Sequence, residues 1–294
     1  MKEKYGEKVM KISLNAGLTC PNRDGASGRR GCVFCNENAF SRYAGTGLSL
    51  REQIDSSIES ARERGINKFI AYFQNATNTN AEPSKLREIY DVVREYPDIV
   101  AISISTRPDC VDDEKLDVIR EYTRDHEVWV EYGIQTVHDR SLELLKRGHT
   151  YADSVNAVRE TYKRGIKVGA HIILGIPGES KKDMITTAGE ISGLGIDGVK
   201  LHVMQVFRGT ELEKMYDKGA LTLMDRAAYV QAACDFLENL RPGCVVLRLV
   251  SDAKEPFLVA PEWSGDKLPV INGVEAEFKR RGTRQGEYFS FTVI

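Results

Sequence analysis

The hydrophobic positions of this chain follow two alternating patterns. Short runs rich in β-branched and aromatic residues are each followed by a stretch in which apolar residues recur with helical spacing. The runs that predict strands lie near residues 8–15, 68–74, 99–106, 127–135, 167–175 and 198–206. Because six β–α units of this length place helices against both faces of a sheet, the pattern predicts an α/β fold with a buried parallel sheet.

Helix boundaries and the last quarter of the chain refine this prediction. Ser49 followed by Glu52 is a capping-box pattern, and Pro83 suits the first turn of a helix. A further strand at 245–250 and a last helix at roughly 266–281 follow the repeating units, and we expect them to close one edge of the sheet. Since no low-complexity linker separates these segments, we expect one domain with a C-terminal extension.

Composition narrows the class of protein. The 294 residues are 41% hydrophobic and 29% charged, which is enough apolar material for a sizeable core. The net charge of −2 gives no global field for a polyanion, although residues 1–50 hold eight basic and four acidic residues. That excess predicts either a local basic face or an ordinary solvated surface. No apolar run is long enough to span a bilayer and the first residues are charged, so we expect a cytoplasmic protein with no membrane partner.

Three cysteines lie in one glycine-rich loop after the first predicted strand, at positions 20, 32 and 35. In a reducing compartment these cysteines are not expected to form disulfides. Their thiolates are soft ligands, which favour iron–sulfur clusters, zinc or copper(I). Three ligands would leave one iron of a four-iron cluster open to a small molecule. The alternative is a structural zinc site, which needs a fourth ligand such as Cys110, Cys234 or Cys244. Cys110 could also be a reactive thiol or a buried one.

The loop and four later segments together resemble the radical S-adenosylmethionine (SAM) enzymes. The loop reads CPNRDG, then a glycine and CVFC. Eleven residues separate its first two cysteines where three are common in these enzymes, and this longer spacing marks the YhcC/YtqA-type branch. Segments STRPDC (105–110), VEYGIQT (130–136), LKRGHT (145–150) and HIILGIPGE (171–179) resemble the related Elongator catalytic subunits. Trp263 and the run RRGTRQG (280–286) resemble the C-terminal signature of the YhcC/YtqA-type group.

The resemblance implies a fold and a set of cofactors. The fold is a partial (β/α)6 barrel over residues 1–206 that carries the cluster loop 20–35, with residues 207–294 packed on it as helices, an edge strand and an extension. The cofactors are a [4Fe–4S] cluster on Cys20, Cys32 and Cys35 and SAM across the carboxyl ends of the strands. The residues expected to contact SAM are Gln74, Ser105, Glu131, Gln135, Arg147 and His171.

Several of these positions keep a second interpretation. Arg147 matches a carboxylate by its planar guanidinium, but it could equally be a surface cation at a helix end. His171 interrupts an apolar strand and could be a satisfied core histidine. Glu131 is costly in a barrel strand unless it is paired or binds a ligand. In many relatives a glycine-rich turn ends the second strand, whereas residues 73–77 here read Phe-Gln-Asn-Ala-Thr.

The resemblance also implies a reaction. A reduced cluster passes an electron to SAM, and the resulting 5′-deoxyadenosyl radical abstracts hydrogen from a substrate. Relatives act on the C5 side chain of the wobble uridine in tRNA, and we expect a step of the type carboxymethylaminomethyl to aminomethyl, because the chain has no acetyltransferase domain. A flavodoxin or ferredoxin is the expected electron donor.

Three other possibilities stay open from the residues themselves. The run Lys279-Arg280-Arg281 with Arg284, beside two aromatic residues, is either an RNA surface or a set of helix-end cations. The substrate could instead be a small metabolite or a tetrapyrrole. The chain could also be no enzyme at all: either a binding protein stabilised by zinc in the cysteine loop, or a carrier of iron–sulfur clusters. Neither of these proteins would cleave SAM.

Overall fold

Seven parallel strands form the main sheet of the protein, which curves into a half-barrel with helices on its outer side. The structure is a computed structural model that describes residues 2–25, 31–36, 39, 43, 45–251 and 256–290. Residues 26–30 of the predicted cluster loop lie outside the described residues. The sheet order is β1-β2-β3-β4-β5-β6-β8. The strands are β1 (Val9–Leu14), β2 (Lys68–Phe73), β3 (Ile99–Thr106), β4 (Glu127–Gln135), β5 (Lys167–Leu174), β6 (Gly198–Val203) and β8 (Val245–Arg248).

The α/β prediction is therefore confirmed, and each predicted strand is present within a few residues of its expected bounds. The extra strand β8 pairs in parallel with β6 and so extends that edge of the sheet. The pattern did not predict a second sheet, in which β7 (Val206–Phe207) pairs antiparallel with β9 (Leu258–Ala260). Pairs of two and three residues are too short to show a hydrophobic period.

Helices connect successive strands and cover the outer face of the sheet. Ser49 and Glu52 form the predicted capping box at the start of α2, and Pro83 opens α3. Within the described residues, no helix has the length and apolar character needed to span a bilayer. The helices are α1 (Lys2–Tyr5), α2 (Leu50–Arg62), α3 (Pro83–Asp91), α4 (Asp113–Glu121), α5 (Asp139–Leu144), α6 (Tyr151–Lys163), α7 (Lys181–Gly193), α8 (Glu211–Asp217), α9 (Arg226–Glu238) and α10 (Leu268–Arg281).

The two faces of the sheet differ in chemistry. Successive strand residues point to opposite faces, so each strand contributes one set to the helices and one to the inside of the half-barrel. The outward set is apolar and forms the main core, with members such as Phe73, Ile102 and Val130. The inward set contains the buried polar and charged side chains Tyr72, Ser103, Glu131 and Lys200, and the half-buried His171. A polar interior indicates that this half-barrel is built to hold something other than its own core.

Candidate functional site

A cavity lies at the carboxyl ends of the parallel strands, where α/β folds place their ligands. Cys20, Cys32 and Cys35 line it. Five of the six predicted SAM-contacting residues line the same cavity, although they come from four strand ends and one loop: Gln74, Ser105, Gln135, Arg147 and His171. The fold thus brings together residues that are up to 151 positions apart in the chain, from Cys20 to His171.

The described part of the cysteine loop is held by backbone and side-chain hydrogen bonds to two other segments. The Val33 amide donates to the Leu145 carbonyl at 3.2 Å, and the Leu212 amide donates to the Val33 carbonyl at 2.9 Å. The amide group of Asn22 donates to the Lys146 carbonyl at 2.7 Å. These contacts fix the loop between the segment that follows α5 and the start of α8.

Two of the cysteines have hydrogen-bond donors beside them. Arg147 Nη1 and Asn22 Nδ2 each lie 3.3 Å from Cys32 Sγ. Arg23 Nη1 donates to the Cys35 carbonyl at 3.1 Å and lies 3.9 Å from its sulfur. Donors to cysteine sulfur stabilise the thiolate and help to set the reduction potential of a cluster bound through it. The sulfur environment therefore suits a negatively charged metal–thiolate group.

Arg147 is buried in the cavity wall and is not a surface cation. Its Nη2 donates to the Gly133 carbonyl at 2.9 Å, and its Nε is buried with no partner among the described residues. An added Cβ at Gly133 would lie 2.8 Å from that Nη2. Glycine at this position thus lets strand β4 pass close to the guanidinium in its observed place.

The cysteines do not form a site for a single metal ion. All six described cysteines are free thiols, and no three His, Cys, Asp or Glu side chains of the described residues converge closely enough to bind one ion. Zinc needs four ligands at about 2.0–2.3 Å from one atom. A four-iron cluster is larger, and its thiolates bind to different irons, so three cysteines spread around one cavity fit a cluster better than zinc.

The three cysteines considered as a fourth zinc ligand lie elsewhere. Cys110, Cys234 and Cys244 are buried and none of them lines the cavity. Burial raises the pKa of each of these thiols to about 12. Cys110 is accordingly a protonated, buried thiol at neutral pH, which answers the question of its reactivity.

The turn after β2 has the conformation of a glycine-rich turn without glycine. Asn75 and Ala76 both adopt left-handed backbone angles, with φ of 65° and 49°, and both line the cavity. Gln135, at the end of β4, is left-handed as well, with φ of 71°. Non-glycine residues in this region cost about 1–2 kcal/mol each and concentrate at functional sites. The turn thus presents its backbone to the cavity as a glycine-rich turn would.

Glu131 does not line the cavity; it lies beneath it, on the inner face of β4. Its carboxylate accepts hydrogen bonds from His171 Nε2 at 2.7 Å and Ser103 Oγ at 2.5 Å. It also pairs with Lys200 and, at 3.2 Å, with Lys11. Burial opposes its ionisation, but Lys200, His171 and Lys11 outweigh that effect and hold the pKa of Glu131 well below its usual range. Glu131 is therefore an ionised carboxylate with protein partners.

His171 is a neutral imidazole that faces the cavity. Burial and the nearby Lys200 lower its pKa to about 4, against the pull of Glu131. Its Nε2–H donates a hydrogen bond to the Glu131 carboxylate, so Nδ1 is the ring nitrogen that can accept one from a ligand. His171 therefore fits both interpretations given from the sequence: Nε2 has a protein partner, as in a core histidine, and the ring also lines the cavity, as a SAM contact would.

Several cavity residues were not predicted from the sequence. Arg107 lies on the wall, paired with Asp109 at 2.7 Å, and Arg248 comes from the edge strand β8. His202, on β6, also faces the cavity. The signal for Arg248 was weak, because a cation in a short edge strand is the usual protection of an exposed edge.

The C-terminal basic run has two kinds of residue. Arg281 Nη1 contacts Asp235 at 2.7 Å and Glu238 at 2.9 Å, which links α10 to α9. Arg280 pairs with Glu277 at 2.7 Å within α10, and its side chain is exposed, as are those of Lys279 and Arg284. Arg281 therefore acts as a structural clasp, whereas the other three cations face solvent.

Comparison with known proteins accounts for most of the chain. The model of the Radical SAM superfamily matches residues 24–191, and that of the Radical_SAM C-terminal domain matches residues 196–280. Protein MJ0486 of Methanocaldococcus jannaschii is 40% identical over 98% of this chain and 90% of its own length. YtqA of Bacillus subtilis is 37% identical over 98% of this chain and 90% of its own length. These matches confirm the predicted resemblance.

Two further similarities cover part of a longer protein. The structure of Elp3 from Methanocaldococcus infernus, lacking residues 1–46, superposes with a TM-score of 0.69 at 20% identity, covering 94% of this chain and 64% of Elp3. This likeness shows a shared fold. A tRNA uridine(34) acetyltransferase of Methanocaldococcus jannaschii is 34% identical over 123 residues, which are 41% of this chain and 22% of the relative.

Proposed function

Because this chain belongs to the radical SAM superfamily and is a radical SAM enzyme, we propose that Cys20, Cys32 and Cys35 hold its [4Fe–4S] cluster and that its substrate is a modified uridine in tRNA. When bound, the reduced cluster and SAM together supply a 5′-deoxyadenosyl radical that abstracts hydrogen from the substrate. A low-potential protein such as flavodoxin or ferredoxin would deliver the electron.

One observation supports the cluster assignment above the others. Three free thiols from one loop line a single cavity, with guanidinium and amide donors beside the sulfurs of Cys32 and Cys35. The set includes no fourth protein ligand, which leaves one iron open for the amino and carboxylate groups of SAM. The function of the wall is then to bind SAM, exclude water and fix the substrate near the radical.

The chain's own residues divide this work by position. The wall residues Gln74, Ser105, Gln135, Arg147 and His171 are the proposed SAM contacts. Arg147 has a buried Nε without a described partner, as expected of a guanidinium that also binds a ligand. Glu131 is a positioning residue, since it holds the His171 ring and does not line the cavity itself.

For the substrate we propose the carboxymethylaminomethyl side chain at C5 of a wobble uridine, shortened to aminomethyl. The radical would take a hydrogen atom from the methylene between the amine and the carboxylate. Loss of one further electron and hydrolysis of the resulting imine would release the acid arm as glyoxylate, with SAM as the net two-electron oxidant. The support is the partial similarity to tRNA uridine(34) acetyltransferases and the fold shared with Elp3. On this proposal a single base with its side chain would be flipped into the cavity at the strand ends, while the rest of the RNA stays outside.

The cluster assignment is tested by anaerobic purification and analysis of iron and sulfide content. Addition of dithionite and SAM should yield 5′-deoxyadenosine. The variant Cys32→Ala should lose bound iron and SAM cleavage, whereas Cys234→Ala, which changes a buried cysteine of α9, should keep both. Full iron content and cleavage in Cys32→Ala would overturn the assignment.

The substrate assignment needs a separate assay. The reconstituted enzyme, SAM and reductant are incubated with tRNA that carries 5-carboxymethylaminomethyluridine at the wobble position, and nucleosides are then quantified by mass spectrometry. We expect aminomethyluridine to appear in proportion to 5′-deoxyadenosine. If SAM is cleaved while the nucleoside stays unchanged, a small metabolite or tetrapyrrole replaces tRNA as the candidate substrate.

A further inference from the structure

The charges around the cavity are unbalanced. None of the described residues that line it is acidic, whereas four of them are arginines. Three of these arginines have partners: Arg23 beside Cys35, Arg107 on Asp109 and Arg147 on Cys32 and Gly133. The guanidinium of Arg248 makes no hydrogen bond or ion pair with any residue that the structure describes.

The neighbours of Arg248 increase the imbalance. Strand pairing places Arg248 beside Lys200, which lies on the inner face with Lys11. The ammonium groups of both lysines lie over the Tyr72 ring, at 3.9 Å and 4.4 Å from its centroid. Among the described residues, Glu131 is the one acidic side chain that pairs with the two lysines, and its oxygens already accept from His171 and Ser103. The inner face therefore has an excess of positive charge, which one more negative group would offset.

A second unpartnered polar group lies on the same wall. His202 Nε2 is buried without a hydrogen-bond partner, and the His202 ring lies 5.4 Å from that of His171. Burial, and then Arg248, lower the pKa of His202 well below its usual range, so the ring is neutral and can donate one hydrogen bond without adding charge. Buried polar atoms are almost always paired, which indicates that a ligand completes this one.

The backbone is shaped to direct Arg248 inward. The register between β6 and β8 shifts by one residue, because Val199 pairs with Val246 while Lys200 pairs with Arg248. The extra residue, Leu247, packs against Gly169 and Gly198. A bulge of this kind turns a side chain out of the regular alternation and recurs beside active sites.

We propose that Arg248 and His202 form an anion-binding subsite that holds a carboxylate of the substrate while the radical acts on it. This rests on the proposed function for the place of the reaction, and it adds a substrate class: molecules whose reacting arm ends in an acid. A guanidinium matches a carboxylate in a bidentate pair. The proposed tRNA side chain carries such an acid next to its cationic amine, and its aminomethyl product has lost the acid and keeps only the cation. The lysines and Arg248 would repel that product, so the same charges bind the substrate and favour release.

The SAM carboxylate is the other source of this chemistry, and the experiment separates the two. The affinity of the reconstituted holoenzyme is measured by calorimetry for 5-carboxymethylaminomethyluridine, 5-aminomethyluridine and SAM. We expect Arg248→Gln to weaken the acid nucleoside by about tenfold or more and leave SAM within about twofold. Arg248→Lys should retain part of the affinity, and Arg120→Gln, an exposed arginine of α4, should retain all of it. An equal loss for SAM would overturn the substrate assignment of the subsite.

A simpler probe tests the subsite without the proposed substrate. Sodium acetate is titrated into the holoenzyme while the 15N resonance of Arg248 Nε, identified by its absence in Arg248→Gln, is followed. A saturable shift supports the subsite, and a resonance that does not move overturns it. If acetate binds while the acid nucleoside does not, the subsite stands and the proposed tRNA substrate is wrong.

Discussion

At the scale of single residues, Gly133 lies where the backbone of β4 passes the proposed SAM contacts. An added Cβ would be 2.7 Å from Gln135 Nε2 and 2.8 Å from Arg147 Nη2, which are the ends of two flexible side chains. Such ends can move at little cost to the fold, but they would leave their positions in the cavity. Glycine here serves the site more than the stability of the sheet.

We therefore expect Gly133→Ala to separate stability from ligand binding. The free energy of unfolding should change by less than about 1 kcal/mol, while SAM affinity should fall about tenfold because the Arg147 guanidinium is displaced. Gly189→Ala is the matched control: it lies within α7 with open space around it, so it should keep SAM affinity and gain up to about 1 kcal/mol of helix stability. Urea unfolding and calorimetry measure both quantities, and equal SAM affinity in the two variants would contradict the expectation.

The turn at Asn75 and Ala76 allows a second test at this scale. Asparagine tolerates the left-handed region, whereas a β-branched residue is an outlier there. Ala76→Val should therefore lower the free energy of unfolding by about 1–2 kcal/mol, and Ala76→Gly should not lower it by a comparable amount. If valine is tolerated as well as glycine in thermal unfolding, the turn is not strained.

At the scale of elements, α10 is attached to α9 through Arg281. Its side chain is 17% exposed and it contacts Asp235, Glu238 and Glu277, of which Glu238 is almost fully buried. Asp235 and Glu277 have second cationic partners in Lys181 and Arg280, but Glu238 has none among the described residues. Removing Arg281 therefore leaves the buried Glu238 carboxylate without a cation, which is the costly way to break an ion pair.

Arg281→Gln should consequently lower the free energy of unfolding by about 2–4 kcal/mol, whereas Arg280→Gln, whose side chain is 70% exposed, should change it by less than about 0.5 kcal/mol. The two variants remove the same charge from adjacent positions, so net charge cancels in the comparison. Similar urea midpoints for both would show that the clasp contributes little.

Elements also show what the sequence could predict. Hydrophobic periodicity located the strands of the main sheet because a buried parallel sheet requires continuous β-rich runs. The short pair β7 and β9 has too few residues for a period. The cysteine spacing indicated the cluster loop, but Asn22 and Arg23 beside the sulfurs could be recognised only from the tertiary contacts. Glu131 was predicted as a site residue because a carboxylate in a strand is costly, and its partners Lys11 and Lys200 are 120 and 69 residues away.

At the scale of the whole molecule, buried histidines connect stability to pH. Burial lowers the pKa of His149 to about 2, with Arg147 and Arg107 adding to the effect, and burial and Lys200 lower that of His171 to about 4. In the unfolded chain both rings take up a proton near pH 6.5, so the unfolded state binds more protons than the folded state below that pH. Stability is therefore lost as pH falls through 6.5, until about pH 4 for His171 and about pH 2 for His149.

Each ring should remove about 2 kcal/mol of stability between pH 7 and pH 5. His149→Gln should accordingly lose about 2 kcal/mol less than the wild type over this interval, whatever its stability at pH 7. Urea unfolding at the two pH values measures the difference. Identical losses in both proteins would mean that the pKa of His149 is the same in the folded and unfolded states.

Strand β8 lies at the edge of the sheet and near the end of the chain, so the cavity wall is completed late in synthesis. The cysteines leave the ribosome roughly 200 residues before Arg248, which takes about 10–40 seconds at ordinary rates of synthesis. Until β8 emerges and pairs with β6, the inner face is open on that side, and every pairing of the main sheet is of the slow, non-local parallel kind. During this interval the thiols are exposed to oxidants and to free metal ions. For the proposed cluster on these thiols, we therefore expect insertion to follow translation, once β8 has completed the cavity wall.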